Sequence, residues 1–89
     1  MKSTFRDRFL EDVSTITGKI LLRRIQVIIG KAETATSLRQ IPQVKKLSGS
    51  DKAYRIRIGD YRIGFFLGKD DVVEFTRVLH RKEMYRFFP

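Results

Sequence analysis

The sequence predicts an α+β fold in which two helices precede a set of mainly antiparallel strands. Two observations carry this prediction. Apolar residues recur at helical spacing in the first third of the chain, and they alternate with polar residues from Tyr54 onward. A chain of 89 residues has room for one core of two packed layers. We therefore expect a single domain over residues 1–89.

The predicted helices occupy about residues 6–17 and, for the second, from residue 19 to residue 32 or 35. In the first, apolar residues follow the helical period before Thr17 and Gly18 end it. The second has one stripe formed by Leu21, Ile25, Ile28 and Ala32. Further apolar residues widen that stripe: Ile20, Leu22, Val27 and Ile29. Two explanations stay open, a helix covered on two sides by its own chain or a surface that binds another protein.

Two alternating runs meet at Gly59 and Asp60, the pattern of a β-hairpin with a two-residue turn. This register places Arg57 opposite Arg62 and Arg55 opposite Gly64. One face of the hairpin is then apolar, and the other carries the three arginines and Phe66.

Like charges placed opposite each other cost about as much as a favourable cross-strand pair contributes, about 0.2–1 kcal/mol. One explanation is that the arginines are solvated and cover apolar surface with their stems. The other is that they bind a polyanion. Lys45 and Lys46, just before the hairpin, are either solvated as well or contact phosphates at its rim.

The remaining segments are short. Residues 1–5 form an edge strand or a frayed end, and Pro42 interrupts the connection over residues 34–43. A second turn at residues 68–71 leads to a third main strand over residues 72–79, whose two faces do not separate cleanly into apolar and polar. Residues 80–89 mix charged and aromatic side chains.

Positive charge dominates the composition, with 19 Lys and Arg against 10 Asp and Glu, a net charge of +9. Such a field attracts nucleic acid, ribosomes, anionic membranes or an acidic protein. The absence of cysteine and the single histidine, His80, exclude disulfides, zinc–thiolate sites and histidine-rich metal sites. With no signal-like or membrane-spanning stretch, we expect a cytoplasmic protein without a cofactor.

Three blocks occur in order: Lys45-Lys46-Leu47, then Tyr54-Arg55-x-Arg57-x-Gly59-Asp60-Tyr61-Arg62, then His80-Arg81-Lys82-Glu83-x-Tyr85-Arg86. Together they resemble the RelE/ParE superfamily of toxins from toxin–antitoxin systems. The resemblance implies a two-helix hairpin packed on one face of a small, curved, mainly antiparallel sheet. It also implies a basic cleft on the other face.

The superfamily includes ribosome-dependent messenger-RNA endonucleases, inhibitors of DNA gyrase and relatives without toxicity. Our first hypothesis is a metal-independent endonuclease acting on messenger RNA in the ribosomal A site, where the RNA 2′-hydroxyl attacks the adjacent phosphate. The alternatives are a ParE-like gyrase inhibitor that breaks no bond, and a non-toxic protein that only binds an antitoxin. We expect the antitoxin to be small and acidic, with a toxin–antitoxin heterotetramer as one candidate assembly.

The resemblance also implies the site residues. It points to Arg55, Arg57, Arg62, Arg81 and Tyr85. Apart from the resemblance, Lys45 and Lys46 could contact RNA phosphates, and Phe66 or Tyr85 could stack on an unpaired base. The general base stays open, because an arginine does not deprotonate at neutral pH. His80 is one candidate because its ordinary pKa lies near neutrality, but it could equally cap or brace the end of its strand. Tyr85 is the other group that could act on the 2′-hydroxyl.

Overall fold

Three helices pack against a five-stranded mixed sheet in the computed structural model, which describes all residues from Met1 to Pro89. The strands are β1 (Ser3–Phe5), β2 (Val44–Lys46), β3 (Ala53–Ile58), β4 (Tyr61–Leu67) and β5 (Val73–His80). The helices are α1 (Asp7–Ser14), α2 (Lys19–Thr34) and α3 (Arg81–Phe87), and single 3₁₀ turns occur at Leu38–Gln40 and Lys69–Asp71. The strand order is β1-β5-β4-β3-β2, with β1 parallel to β5 and every other pair antiparallel. The predicted α+β class is confirmed.

The predicted hairpin has the expected register, with Arg57 opposite Arg62 and Arg55 opposite Gly64. Gly59 has a φ of +56°, the left-handed conformation that the tight turn requires. The first helix ends at Ser14 rather than near residue 17, while the second matches its predicted bounds. Residues 3–5 form the edge strand that the sequence left undecided.

The main core lies between the sheet and the first two helices. Phe9 from α1 meets Phe75 of β5, with ring centroids 5.5 Å apart, and Phe65 of β4 also packs against Phe75, at 6.1 Å. All three rings are buried. The apolar stripe of α2 adds Ile25, Ile28 and Ala32 to the same cluster. Aromatic burial on this scale accounts for why a short chain can hold two layers together.

A β-bulge explains the ambiguous facing of the third main strand. Gly64 pairs with Arg77 and Phe65 pairs with Phe75, so Thr76 is the extra residue of β5. Val73 and Phe75 before the bulge and Val78 after it are therefore all buried in the main core. A simple alternation cannot describe such a strand.

A second, smaller core covers part of the other sheet face. Met84 and Phe88, one helical turn apart, pack with Leu47 and Ala53, and the half-buried Phe66 and Leu79 complete the cluster. The ring of Phe88 lies directly over Gly64, where an added Cβ would come within 2.7 Å of it. Helix α3, which the sequence did not predict, is thus held on the arginine-bearing face.

An ion pair joins α1 to the free edge of β5. Arg77 donates from Nε and a terminal nitrogen to the Asp12 carboxylate at 2.8 and 3.1 Å, and the Val78 N–H donates to it at 2.9 Å. The hydrogen bond to Asp12 raises the pKa of Arg77. β1 pairs with β5 only as far as Phe75, so this carboxylate satisfies a strand edge beyond the paired part. None of the helices is long and apolar enough to span a bilayer.

Candidate phosphate-binding site

The arginine face of the hairpin centres on Arg62. The pKa of Arg62 is lowered, first because its side chain is partly desolvated and then because Arg55 and Arg57 bring positive charge close to it. Arg81 lowers it further, and Tyr85 acts in the opposite sense. Five of the residues expected from the sequence therefore lie within electrostatic reach of one another. No carboxylate is among the groups that shift the pKa of Arg62, so the centre of this cluster is suited to bind an anion.

The turn fixes the direction of the Arg62 side chain. One terminal nitrogen donates to the carbonyl oxygens of Gly59 and Tyr61 at 2.8 and 2.9 Å. The side chain is thus bent back over the hairpin turn, and its other two nitrogens make no hydrogen bond within the protein. These donors are available to phosphate oxygens, which a planar guanidinium can bind in pairs.

Arg55 is held by Gln43, the residue just before strand β2. Its terminal nitrogen donates to the Gln43 carbonyl oxygen at 3.2 Å, and the same oxygen accepts the Arg57 backbone N–H at 3.2 Å. Gln43 has a φ of 59°, which turns this carbonyl toward the hairpin. The Arg55 Nε is buried and has no partner. An unsatisfied buried donor is costly, so this nitrogen adds to the unfavourable environment of the arginine face.

Helix α3 brings the remaining members. Because Met84 and Phe88 point into the second core, Arg81 and Tyr85, also one turn apart, lie on another side of the helix. Tyr85 is 77% exposed. The helix start is tied to the turn, since the Arg81 N–H donates to the Asp60 carbonyl at 2.7 Å and Arg81 Nε lies 3.9 Å from the Asp60 carboxylate.

A cleft of about 370 Å³ separates α3 from β2. Lys45 and Lys46 of β2 line it together with Tyr85 of α3 and Phe88. The two lysines therefore border the place where Tyr85 is exposed. A nucleotide in this cleft could contact ammonium groups and a phenol ring together.

His80 and Phe66 have structural contacts of their own. His80 is the N-cap of α3, where its Nδ1 accepts the Lys82 N–H at 3.2 Å. Its ring meets Tyr61 edge-on at 5.5 Å, opposite Tyr61 in the sheet and therefore on the other face from Arg62. The Phe66 ring packs on Phe88 at 5.1 Å. Neither ring stands free in the arginine cluster.

Three positioning residues escaped the sequence analysis: Gln43, Asp60 and Phe88. Their roles depend on backbone carbonyls and on a contact across the sheet, which no local pattern encodes. For Phe88 alone the sequence contains a signal. Its spacing of four from Met84 is typical of a short helix with one apolar stripe.

Comparison with known proteins assigns the family. The model of a family described as the ParE toxin of the type II toxin–antitoxin system parDE matches residues 4–85. The chain is 40% identical to Toxin RelE3 of Methanocaldococcus jannaschii, over an alignment of 90 residues that covers 100% of both proteins.

Solved structures agree with this assignment. A chain of the RelB-RelE antitoxin-toxin complex from Methanococcus jannaschii is 38% identical with a TM-score of 0.79, over 97% of this chain and 99% of that one. A chain of the archaeal RelE-RelB complex from Pyrococcus horikoshii OT3 shares the fold at 23% identity, with a TM-score of 0.74 over 93% and 97% of the two chains. The protein therefore belongs to the RelE/ParE superfamily of toxins from type II toxin–antitoxin systems.

Proposed function

We propose that this toxin is a ribosome-dependent endoribonuclease that cuts messenger RNA in the ribosomal A site, in the cytoplasm. The observation that carries the proposal is the clustering of Arg55, Arg57 and Arg81 around Arg62, with Tyr85 beside them. Cations placed so close together repel one another. The negative charge of a phosphate bound among them would offset that repulsion.

The reaction needs no group beyond the RNA and the protein. The 2′-hydroxyl oxygen attacks the adjacent phosphorus, its proton leaves to a base, and the bond from phosphorus to the 5′-oxygen breaks as that oxygen takes up a proton. The products are a 2′,3′-cyclic phosphate and a 5′-hydroxyl. Arg62 and Arg57 are paired across the hairpin, where they would bind the phosphate oxygens and stabilise the charge that develops on them.

The other residues position the substrate. Lys45, Lys46 and Arg55 would contact the RNA backbone, which fixes register without reading sequence. The exposed Tyr85 ring would stack on an unpaired base or direct the 2′-hydroxyl toward the phosphorus. Of the two candidates for proton transfer, Tyr85 lies in the cluster and His80 does not, so we assign this step to Tyr85 first.

We also propose that a small acidic antitoxin holds the toxin inactive. Two of the similar structures are RelB-RelE complexes, and the net charge of +9 favours an acidic partner. A partly disordered antitoxin could wrap this surface and fold as it binds. A toxin–antitoxin heterotetramer is the assembly to test by light scattering.

Cell-free translation tests the activity. Purified toxin is added to a translating extract, and cleavage is mapped by primer extension. We expect A-site cuts with wild type and a loss of at least about a hundredfold with Arg62→Ala, since charge stabilisation of this kind contributes about that much. Lys69→Ala, at the far end of the sheet, is the matched control. Intact messenger RNA at high toxin concentration, or an Arg62→Ala variant as active as wild type, would contradict the proposal.

The chemistry has its own test. A messenger with a 2′-deoxynucleotide at the mapped site should resist cleavage there, because the nucleophile is missing. Cleavage of that messenger at the same bond would exclude attack by the 2′-hydroxyl.

The second candidate is inhibition of DNA gyrase, which the description of the matching family model favours. In that case the sheet face is a protein interface and Tyr85 is dispensable. A supercoiling assay separates the two functions, because gyrase inhibition without RNA cleavage selects this candidate.

A further inference from the structure

Two consecutive residues of α3, Phe87 and Phe88, contact one cross-strand pair of the sheet. The Phe88 ring lies over Gly64 of β4, and the residue paired with Gly64 is Arg77 of β5. The guanidinium carbon of Arg77 lies over the Phe87 ring, 5.9 Å from its centroid. Arg77 therefore contacts α3 at a residue that lies outside the second core and is 48% exposed.

The β-bulge gives Arg77 this position. In a regular strand, residue 77 would share a face with residue 75, and Phe75 is buried in the main core. The extra residue Thr76 lets Arg77 pair with Gly64 and lie on the opposite face, where α3 packs. Bulges commonly redirect a side chain beside a functional site. Here the redirected side chain is a cation that meets α3.

The Asp12 carboxylate fixes the direction of the Arg77 side chain. Two nitrogens of Arg77 donate to its two oxygens at 2.8 and 3.1 Å, and both side chains are mostly buried. The same carboxylate accepts the Val78 N–H, so it is anchored to the strand as well. A bidentate pair leaves a guanidinium little freedom. Arg77 thus presents a positive charge to α3 at a fixed place.

Arg86 also lies over the Phe87 ring, 5.3 Å from its centroid, but it has a different role. It belongs to α3 itself, is exposed and forms no salt bridge. A cation on the same helix cannot fix that helix relative to the sheet. Arg86 is therefore a matched control for Arg77.

We propose that Arg77 is a positioning residue of the cleavage site. Acting through Phe87, it holds α3 so that Arg81 and Tyr85 stay beside Arg62. A helix of seven residues is too short to be stable by itself, so its place depends on contacts such as this one. The attraction is that of a cation to the face of an aromatic ring. The effect on cleavage rests on the proposed function.

Single-turnover cleavage on ribosomes programmed with a short messenger tests the proposal. The measured quantities are the saturating rate and the toxin concentration that gives half of it. Phe87→Leu keeps an apolar side chain and the pair of Arg77 with Asp12, but it removes the aromatic face. We expect the saturating rate to fall roughly tenfold and the half-saturating concentration to change about twofold or less, because the RNA-binding cations are untouched. Phe87→Tyr keeps the ring and should cleave within about twofold of wild type.

The two cations are then compared. Arg77→Met should lower the saturating rate roughly tenfold, whereas Arg86→Met, which removes an equal charge beside the same ring, should change it about twofold or less. Arg77→Met leaves the Asp12 carboxylate buried without its partner, which destabilises the fold. Urea unfolding of each variant shows which ones are folded, and Phe87→Leu carries the test if Arg77→Met is not.

The position of α3 is also measured without RNA. Because the Phe88 ring lies over Gly64, its ring current displaces the Gly64 Hα signals in NMR spectra. We expect Phe87→Leu and Arg77→Met to move these signals toward the values of an uncovered glycine. Arg86→Met should leave them in place.

Three results would overturn the inference: wild-type cleavage by Phe87→Leu, equal losses of rate in Arg86→Met and Arg77→Met, or Gly64 signals that stay in place in Phe87→Leu. Absence of cleavage by the wild-type toxin would count against the proposed function alone. The NMR signals distinguish these two failures, since they report the place of α3 whether or not RNA is cut.

Discussion

At the scale of single residues, the arginines of the site lie close to one another, and this closeness of like charges destabilises the folded protein. Arg62 faces Arg57 across the hairpin, is partly desolvated and lies near two further arginines. Its pKa is lowered in the folded protein, which means that the unfolded chain binds this proton more readily. Near neutral pH the arginine is charged in both states, so its charge is a constant cost to stability. That cost would fall only at alkaline pH, as the side chain deprotonates.

An anion can remove this cost at neutral pH. We expect sulfate, added at constant ionic strength, to raise the Tm of wild type more than that of Arg62→Gln. At about ten times its Kd the ion contributes about 1.4 kcal/mol, roughly 5–10 °C for a chain of this size. The control Arg39→Gln removes an exposed arginine elsewhere and should keep the wild-type response. Equal shifts in all three proteins would show that sulfate acts by general exclusion rather than at this site.

His80 illustrates how a residue with suitable chemistry can have a structural role. Its Nδ1 accepts the Lys82 N–H, so only Nε2 is left for proton transfer. We predict that His80→Asn, which can still cap the helix, keeps cleavage within about threefold of wild type. His80→Ala should lose about 0.5–2 kcal/mol of unfolding free energy, measured in urea. If His80→Asn is inactive yet as stable as wild type, His80 is a general base and the assignment to Tyr85 fails.

At the scale of elements, α3 determines whether the site is complete. Two of its residues, Arg81 and Tyr85, belong to the cluster, while Met84 and Phe88 fasten the helix to the sheet. The absence of a side chain at Gly64 in β4 leaves room for the Phe88 ring. The requirement for glycine here is therefore steric rather than conformational.

Gly64→Ala should displace Phe88, because the new Cβ would lie 2.7 Å from ring atoms. We expect a cost of about 1–3 kcal/mol in urea unfolding and a loss of roughly tenfold or more in cleavage, as Tyr85 moves away from Arg62. In a Phe88→Ala background the same substitution should cost almost nothing. Gly30→Ala is the control, since nothing lies within 4 Å of its Cβ. Full activity of Gly64→Ala would mean that α3 need not be fixed.

At the scale of the whole molecule, local chemistry explains what the sequence could predict. The hairpin register follows from period-two alternation and a Gly-Asp turn, both readable within ten residues, and the basic motifs surround it. The bulge at Thr76, the covering of Phe66 by Phe88 and the clamp of Arg55 by Gln43 could not be predicted. Each depends on residues that are distant in sequence and meet only after the sheet has formed.

The net charge of +9 is a property of the whole molecule, but only part of it should contribute to RNA binding. Binding to a single strand releases counterions, so log Kd changes with log salt by about 0.7 for each phosphate neutralised. With roughly four contacts among Lys45, Lys46 and the arginine cluster, the slope has a magnitude of about 3. We predict that Arg57→Gln lowers this magnitude by about 0.7, measured by anisotropy with a short RNA carrying a 2′-deoxynucleotide to prevent cleavage. Lys69→Gln removes an equal charge at the far end of the sheet and should leave the slope unchanged. If both variants reduce the slope alike, RNA responds to the overall charge of the protein, and the cluster around Arg62 has no special part in binding phosphate.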